Sequence, residues 1–199
     1  MDKHTALSDL VSKRSVLRAR DLAQLGVNSH DLRRLVKDGV LSKIGRGLYS
    51  SSGFEATASR SLVEAAGAQS KGVVCLLSAL SYYNIGTQLP HQVWMAVPYG
   101  ARISRHANVP MQVVVMRPPA YDAGIEIKSI EGVAVPVYCI AKTIADCFKF
   151  RNRVGLDVAL EALRETLHDR RCPRDEIRKY ARIDRVEKLI SLYMEALSV

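Results

Sequence analysis

LRARDLAQLGVNSHDLRRLVKDGVLSKIGRGLYSS, residues Leu17 to Ser51, carries two helical periods and two short apolar strands in sequence. The second helical period is the more informative. Ser29 suits an N-cap, Asp31 falls in the first turn where the helix dipole favours an anion, and Gly39 suits the stop, which predicts a helix over Ser29 to Gly39. At about 100° of rotation per residue, Leu32, Leu35 and Val36 gather on one side. His30, Arg33, Arg34 and Lys37 then share an arc of roughly 100° on the other. One face packs and the opposite face is cationic.

Upstream, Ala19 to Leu25 carries Leu22 and Leu25 at helical spacing, and Gly26, Val27 and Asn28 supply a turn between the two helices. Arg18 offers no capping oxygen. Downstream, Val40 to Ile44 and Leu48 to Ser50 flank Gly45-Arg46-Gly47, the pattern of a hairpin with an arginine at its tip. Such a wing presents Lys43 and Arg46. Ala6, Leu7, Leu10 and Val11 have the spacing of a first helix packed under the other two. Residues 1–51 therefore read as a winged helix-turn-helix, with His30, Arg33, Arg34, Lys37, Lys43 and Arg46 as its contacts to double-stranded DNA.

Charge supports that placement. The chain has 199 residues and a formal net charge of +9, and its first 51 residues hold ten Lys and Arg against five Asp and no Glu. A stretch with twice as many cations as acids is the electrostatic footprint of a nucleic-acid binder. No stretch approaches the run of about 20 apolar residues that spans a bilayer. The N-terminal MDKHTALSDL also lacks the apolar core of a secretory signal. These features predict a cytoplasmic protein without a membrane partner. Cys75, Cys139, Cys147 and Cys172 lie far apart with no CxxC, which predicts reduced thiols rather than a zinc site or disulfide framework.

Ser51-Ser52-Gly53 reads as a boundary, so residues 52–199 form a second domain. Its first element is an Ala-rich helix over Glu55 to Gln69, followed by a short helix over Leu76 to Tyr83. Val93 to Val97, Gln112 to Met116, Ile125 to Ile130 and Val133 to Tyr138 read as strands of a small sheet. Stripes at Ala141/Ile144/Ala145/Phe148, Leu156/Leu160/Leu163/Leu167, Ile177/Tyr180/Ala181 and Val186/Leu189/Ile190/Tyr193/Leu197 mark a helical C-terminal tail over that sheet, with Arg182 and Arg185 solvated. The fold class is α+β, a winged helix-turn-helix followed by a mixed α/β domain.

Three segments in this order, Gly45-Arg46-Gly47-Leu48-Tyr49, Leu77-Ser78-Ala79-Leu80 and Lys142-Thr143-Ile144-Ala145-Asp146, resemble the AbiEi antitoxins of bacterial abortive-infection (type IV toxin-antitoxin) systems. The resemblance covers nearly the whole chain. It implies a repressor that binds its own operator, at inverted repeats, through the winged helix. It also implies that the C-terminal domain counters a nucleotidyltransferase-like toxin, direct contact not being required. The antitoxin role is implied by the resemblance alone.

Two other classes are open on the residues. Glu126-Ile127-Lys128 on a strand matches the Glu-x-Lys of metal-dependent nucleases, but no Asp or Glu lies between Glu64 and Asp122 to supply a second carboxylate from an earlier strand. Alternating charge on a half-exposed strand explains the pair. GxSxG, P-loop and HExxH motifs are absent, and His91, His106 and His168 stand without carboxylates at useful spacing. No catalytic residue, metal or cofactor is therefore expected. A ligand-gated regulator is the third class, although no polar cluster names an effector. Arg102, Arg105 and Arg117, with His106, form a sparse secondary basic patch that reads as a solvated face or a contact to phosphate or RNA.

Overall fold

A computed structural model describes residues 16–45, 47–51, 57–104 and 109–197. The expected first helix at Ala6 to Val11 lies outside the described residues. So do Arg46, Ser52, Gly53, Arg105 and His106.

Strand β1 (Val16–Arg18) leads directly into helix α1 (Ala19–Gln24), and a turn carries the chain into α2 (Ser29–Lys37). The hairpin follows as β2 (Leu41–Gly45) and β3 (Leu48–Ser51). The strands form an antiparallel sheet in the order β1-β3-β2, with Leu17 and Lys43 both opposite Tyr49. β1 was not expected, because three residues show no alternation. Leu17, Leu22, Val27, Leu32 and Leu41 close the small core under the helices. Val27 thus takes the place expected for Leu25, which is only half-buried.

The larger unit is built on a five-stranded mixed sheet in the order β6-β5-β4-β8-β7. Its strands are β4 (Val73–Val74), β5 (Val93–Pro98), β6 (Met111–Met116), β7 (Ile125–Ile130) and β8 (Val133–Tyr138). Central β4 is only two residues long, too short for a periodic signal. It pairs antiparallel with β5 and parallel with β8. Because side chains alternate across a strand, Val73 enters one core and Val74 the other. The first core is covered by α4 (Leu76–Tyr82), α5 (Ile140–Lys149), the short α6 (Arg151–Val154), α7 (Leu156–His168), α8 (Arg174–Ile183) and α9 (Glu187–Ala196). The other face carries α3 (Ala58–Ala68), capped by Thr57, whose hydroxyl accepts from Arg60 N at 3.1 Å, while Glu55, where this helix was expected to begin, lies outside the described residues.

That second core is not confined to the large sheet. Val16 and Ile44 from the small sheet are buried in it beside Leu62, Val63 and Ala65 of α3. Gly45 and Gly67 allow the close approach, since a Cβ built on Gly45 would lie 3.0 Å from Gly67 Cα. Arg60 of α3 donates to Ser50 Oγ at 2.7 Å while pairing with Glu64 at 2.9 Å. Helix α3 is thus a shared floor for the two sheets. The chain is mixed α+β, and among the described residues no helix is long and apolar enough to cross a membrane.

Candidate nucleic-acid interface

The cap of α2 is Asn28, not Ser29. Asn28 holds an extended backbone, and its Oδ1 accepts from His30 N and Asp31 N at 2.9 Å each. Asp31 Oδ2 accepts from Asn28 N at 3.1 Å, which completes a reciprocal capping box. Starting one residue earlier satisfies more orphan amide donors than a serine cap alone. At the other end Lys37 is the last helical residue, and Gly39 takes φ 73° just beyond Asp38.

On this helix Leu32 is buried and Leu35 and Val36 are half-buried, while His30, Arg33, Arg34 and Lys37 are all exposed. Arg34 Nε lies 3.6 Å from Asp38 Oδ2, a pair whose side chains are 78% and 52% exposed. Such a pair is weak enough to exchange for a phosphate or base. Among the described residues, Arg33 and Lys37 have no ion-pair partner. The helix therefore presents a cationic ridge held in place by its apolar side.

The hairpin packs against the apolar side of this helix, since Leu41 of β2 shares a core with Leu32. Lys43 is exposed on β2. The hairpin also completes α1, whose first amide, Ala19 N, donates to Gly47 O at 2.8 Å. This explains a helix start that the sequence left unmarked: Arg18 makes no side-chain cap, and the carbonyl comes from a residue far along the chain.

The secondary patch is less assembled. Arg117 stacks its guanidinium 4.1 Å above the Tyr99 ring, and Arg102 is tied through its carbonyl to Gln69 Nε2 at 3.1 Å. Both arginine residues are exposed.

Glu126 and Lys128 lie on edge strand β7 and pair with each other at 2.6 Å. The tertiary fold brings Glu176 of α8 to the same cleft of about 240 Å³, beside Tyr83, Cys139 and Cys172. Burial, with further help from Glu176, pushes the Cys172 thiol up to about 12, and burial raises Cys139 as well. Both are protonated thiols at neutral pH, poor nucleophiles and poor ligands. Among the described residues, no three His, Cys, Asp or Glu side chains are placed to share a metal ion. His168 is not without a carboxylate, since Nδ1 lies 2.8 Å from Asp169 Oδ1, yet the ring is 85% exposed.

Two features escaped the sequence. A cleft of about 550 Å³ between α3, α4 and the loop before β5 gathers Ser59, Ser81, Tyr82, Asn84, His91 and Gln92. The second is a buried charge cluster. Lys142 of α5 is fully buried, donating to Asp146 one turn on and to Asp184 Oδ2 at 3.1 Å, while Lys149 reaches Asp184 Oδ1 at 2.9 Å. Burial, only partly offset by Lys142, holds the Asp146 carboxyl well above the usual carboxylate range.

These elements define a mixed α+β protein with a cationic helix and hairpin mounted on a larger, helix-covered sheet. Residues 6–51 match the family model described as "Transcriptional regulator, AbiEi antitoxin". The resemblance stated above is thus borne out over the segment that carries the cationic helix. The crystal structure of the RV2827C protein from Mycobacterium tuberculosis is similar in fold, with a TM-score of 0.57 and 16% sequence identity over 88% of this chain and 69% of that one. No curated protein matches.

Proposed function

We propose that the chain is a sequence-specific, DNA-binding transcriptional repressor and the antitoxin of a type IV toxin-antitoxin system. It represses its own operon through a winged helix-turn-helix formed by residues 1–51. The carrying observation is the exposure of His30, Arg33, Arg34 and Lys37 together on the face of α2 opposite Leu32. A helix of about this length fits the major groove of B-DNA, and the adjacent hairpin falls where a wing meets the backbone or the minor groove. Arg33, Arg34 and Lys37 read base edges; Lys43 and Arg46 hold phosphate. The match of residues 6–51 to the regulator family supports this reading.

Residues 52–199 are the antitoxin domain in this account. They counter a nucleotidyltransferase-like toxin in the cytoplasm, and need not touch it. The two activities are separable in the intact chain. Replacing Arg33, Arg34 and Lys37 together by Ala abolishes repression of a reporter carrying the DNA upstream of the gene, yet leaves protection against the co-expressed toxin intact. Loss of both activities in a folded variant overturns the division of labour. Retained repression overturns the DNA-reading assignment.

A ligand-gated regulator is the second reading, favoured by one observation: the hydroxyl-lined cleft beside α3, the helix on which the hairpin rests.

A further inference from the structure

A second basic site lies far from α2 along the chain, where α6, α8 and α9 meet. A cleft of about 420 Å³ is lined by Arg151, Arg182, Arg185 and Lys188, with Val186 and Leu189 as apolar wall. That volume lies within the range of about 300–1,000 Å³ usual for small-ligand sites. The lining contains a single carboxylate, Glu187, and it is already engaged by Arg182 Nε at 2.7 Å. Arg151 is fixed by a 3.0 Å bond from Nη1 to Phe148 O, which leaves its other donors available. Among the described residues, Arg185 and Lys188 have no ion-pair partner.

Two observations separate this cluster from an ordinary solvated face. Elsewhere on α8 the pattern is compensated, as where Arg178 pairs with Asp175 at 3.2 Å. In the cleft, positive charge from three helices and one turn converges with its only acid spent. Moreover, Arg185 sits at φ 60°, a left-handed conformation that glycine or asparagine adopts more cheaply than arginine. The turn that presents it is fixed from below, because the adjacent Asp184 is buried and bonded to both Lys142 and Lys149. The charge cluster inside the molecule therefore holds rigid a cationic turn on its surface.

From this geometry we infer that the cleft binds a phosphate-bearing ligand, with Arg185 and Lys188 as its principal donors and Arg151 and Arg182 as flanking ones. Guanidinium groups suit phosphate oxygens through paired charge-assisted hydrogen bonds, and the volume suits a polyphosphate or nucleotide. The site is independent of the DNA-reading face on α2.

The test uses the full chain. Inorganic tripolyphosphate and a nucleoside triphosphate are titrated calorimetrically into wild type, into the double variant Arg185→Gly with Lys188→Ser, and into the double variant Arg33→Ala with Arg34→Ala. The first variant remains folded, since glycine accepts φ 60° without strain. The expected result is saturable binding that the cleft variant weakens by about tenfold or more, charged hydrogen bonds being the strong ones. The α2 variant should bind as wild type does. A parallel titration of duplex DNA at several salt concentrations separates the sources of phosphate. If the cleft variant changes only the salt slope for DNA, the phosphates belong to a nucleic-acid backbone. If it changes neither titration, or if the α2 variant weakens tripolyphosphate equally, the site does not exist as described.

Discussion

Helices α2 and α5 both carry basic side chains, and they use them in opposite ways. On α2, His30, Arg33, Arg34 and Lys37 face solvent, and the ion pair of Arg34 with Asp38 is exposed and weak. On α5, Lys142 is fully buried between Asp146 and Asp184, with its ammonium 4.9 Å from the Tyr138 ring. A cation kept in water remains available to a partner. One taken out of water is committed to the fold, because the hydration it has lost must be matched by the charges around it.

The largest expected effect follows from the committed cation. Lys142→Met leaves buried Asp146 without a cationic partner and Asp184 with Lys149 alone, and breaking a buried pair from one side costs about 3–5 kcal/mol. Urea unfolding should show this loss, whereas Lys37→Met on α2 should change stability by about 0.5 kcal/mol or less, as surface substitutions do. Equal effects would erase the contrast between the helices.

A smaller effect concerns the join between the two sheets. Gly45→Ala sets a methyl group against the backbone of Gly67, and overpacking of this kind costs about 1–3 kcal/mol. Because Val16 and Ile44 are buried against α3, a fragment ending at Ser51 would expose them. It should melt below the full chain by circular dichroism. A fragment as stable as the full chain would show that the small sheet owes nothing to α3.

At the start of α2, Asn28→Ala removes the acceptor of two amide donors and should cost about 1 kcal/mol. Ser29→Ala, by contrast, should cost little. The reverse ranking would restore serine as the cap.

The smallest effect is one of pH. Asp146 has its carboxyl raised by burial above the unfolded value of about 3.9. Stability from such a group is fully present below the unfolded pKa and is lost as pH rises toward the folded one. The stability of wild type minus that of Asp146→Asn, measured by urea unfolding, should therefore decline as pH rises from about 4. A difference that grows with pH would mean that Lys142 outweighs burial.

Much of this was legible in the sequence, for identifiable reasons. The polar and apolar sides of α2 follow from helical period alone, and β5 through β8 lie within a residue or so of where alternation puts them. Strands β1 and β4 were hidden because two or three residues have no period and owe their conformation to neighbours supplied by the fold. The start of α1 was hidden because its partner, Gly47 O, arrives from the hairpin. Lys142 and Asp146 were hidden for another reason. At i and i+4 they look like a solvated surface pair, and only the arrival of Asp184 from the end of α8 marks them as interior. Arg182 and Arg185, read as solvated, are indeed exposed; what the sequence hid is the turn that sets them beside Arg151 and Lys188, because contacts far away in sequence fix it.

The available cations of α2 are tested most directly by titrating two duplexes, the DNA upstream of the gene and a shuffled version, at several salt concentrations. Wild type, Arg34→Ala and Lys43→Ala are compared. Arg34→Ala should lose about 1–3 kcal/mol on the upstream duplex and relax its preference at one position. Lys43→Ala should weaken both duplexes alike and lower the slope of log K against log salt by about 1. If wild type binds the two duplexes equally, or if neither variant changes binding, α2 does not read DNA and its exposed cations serve another partner.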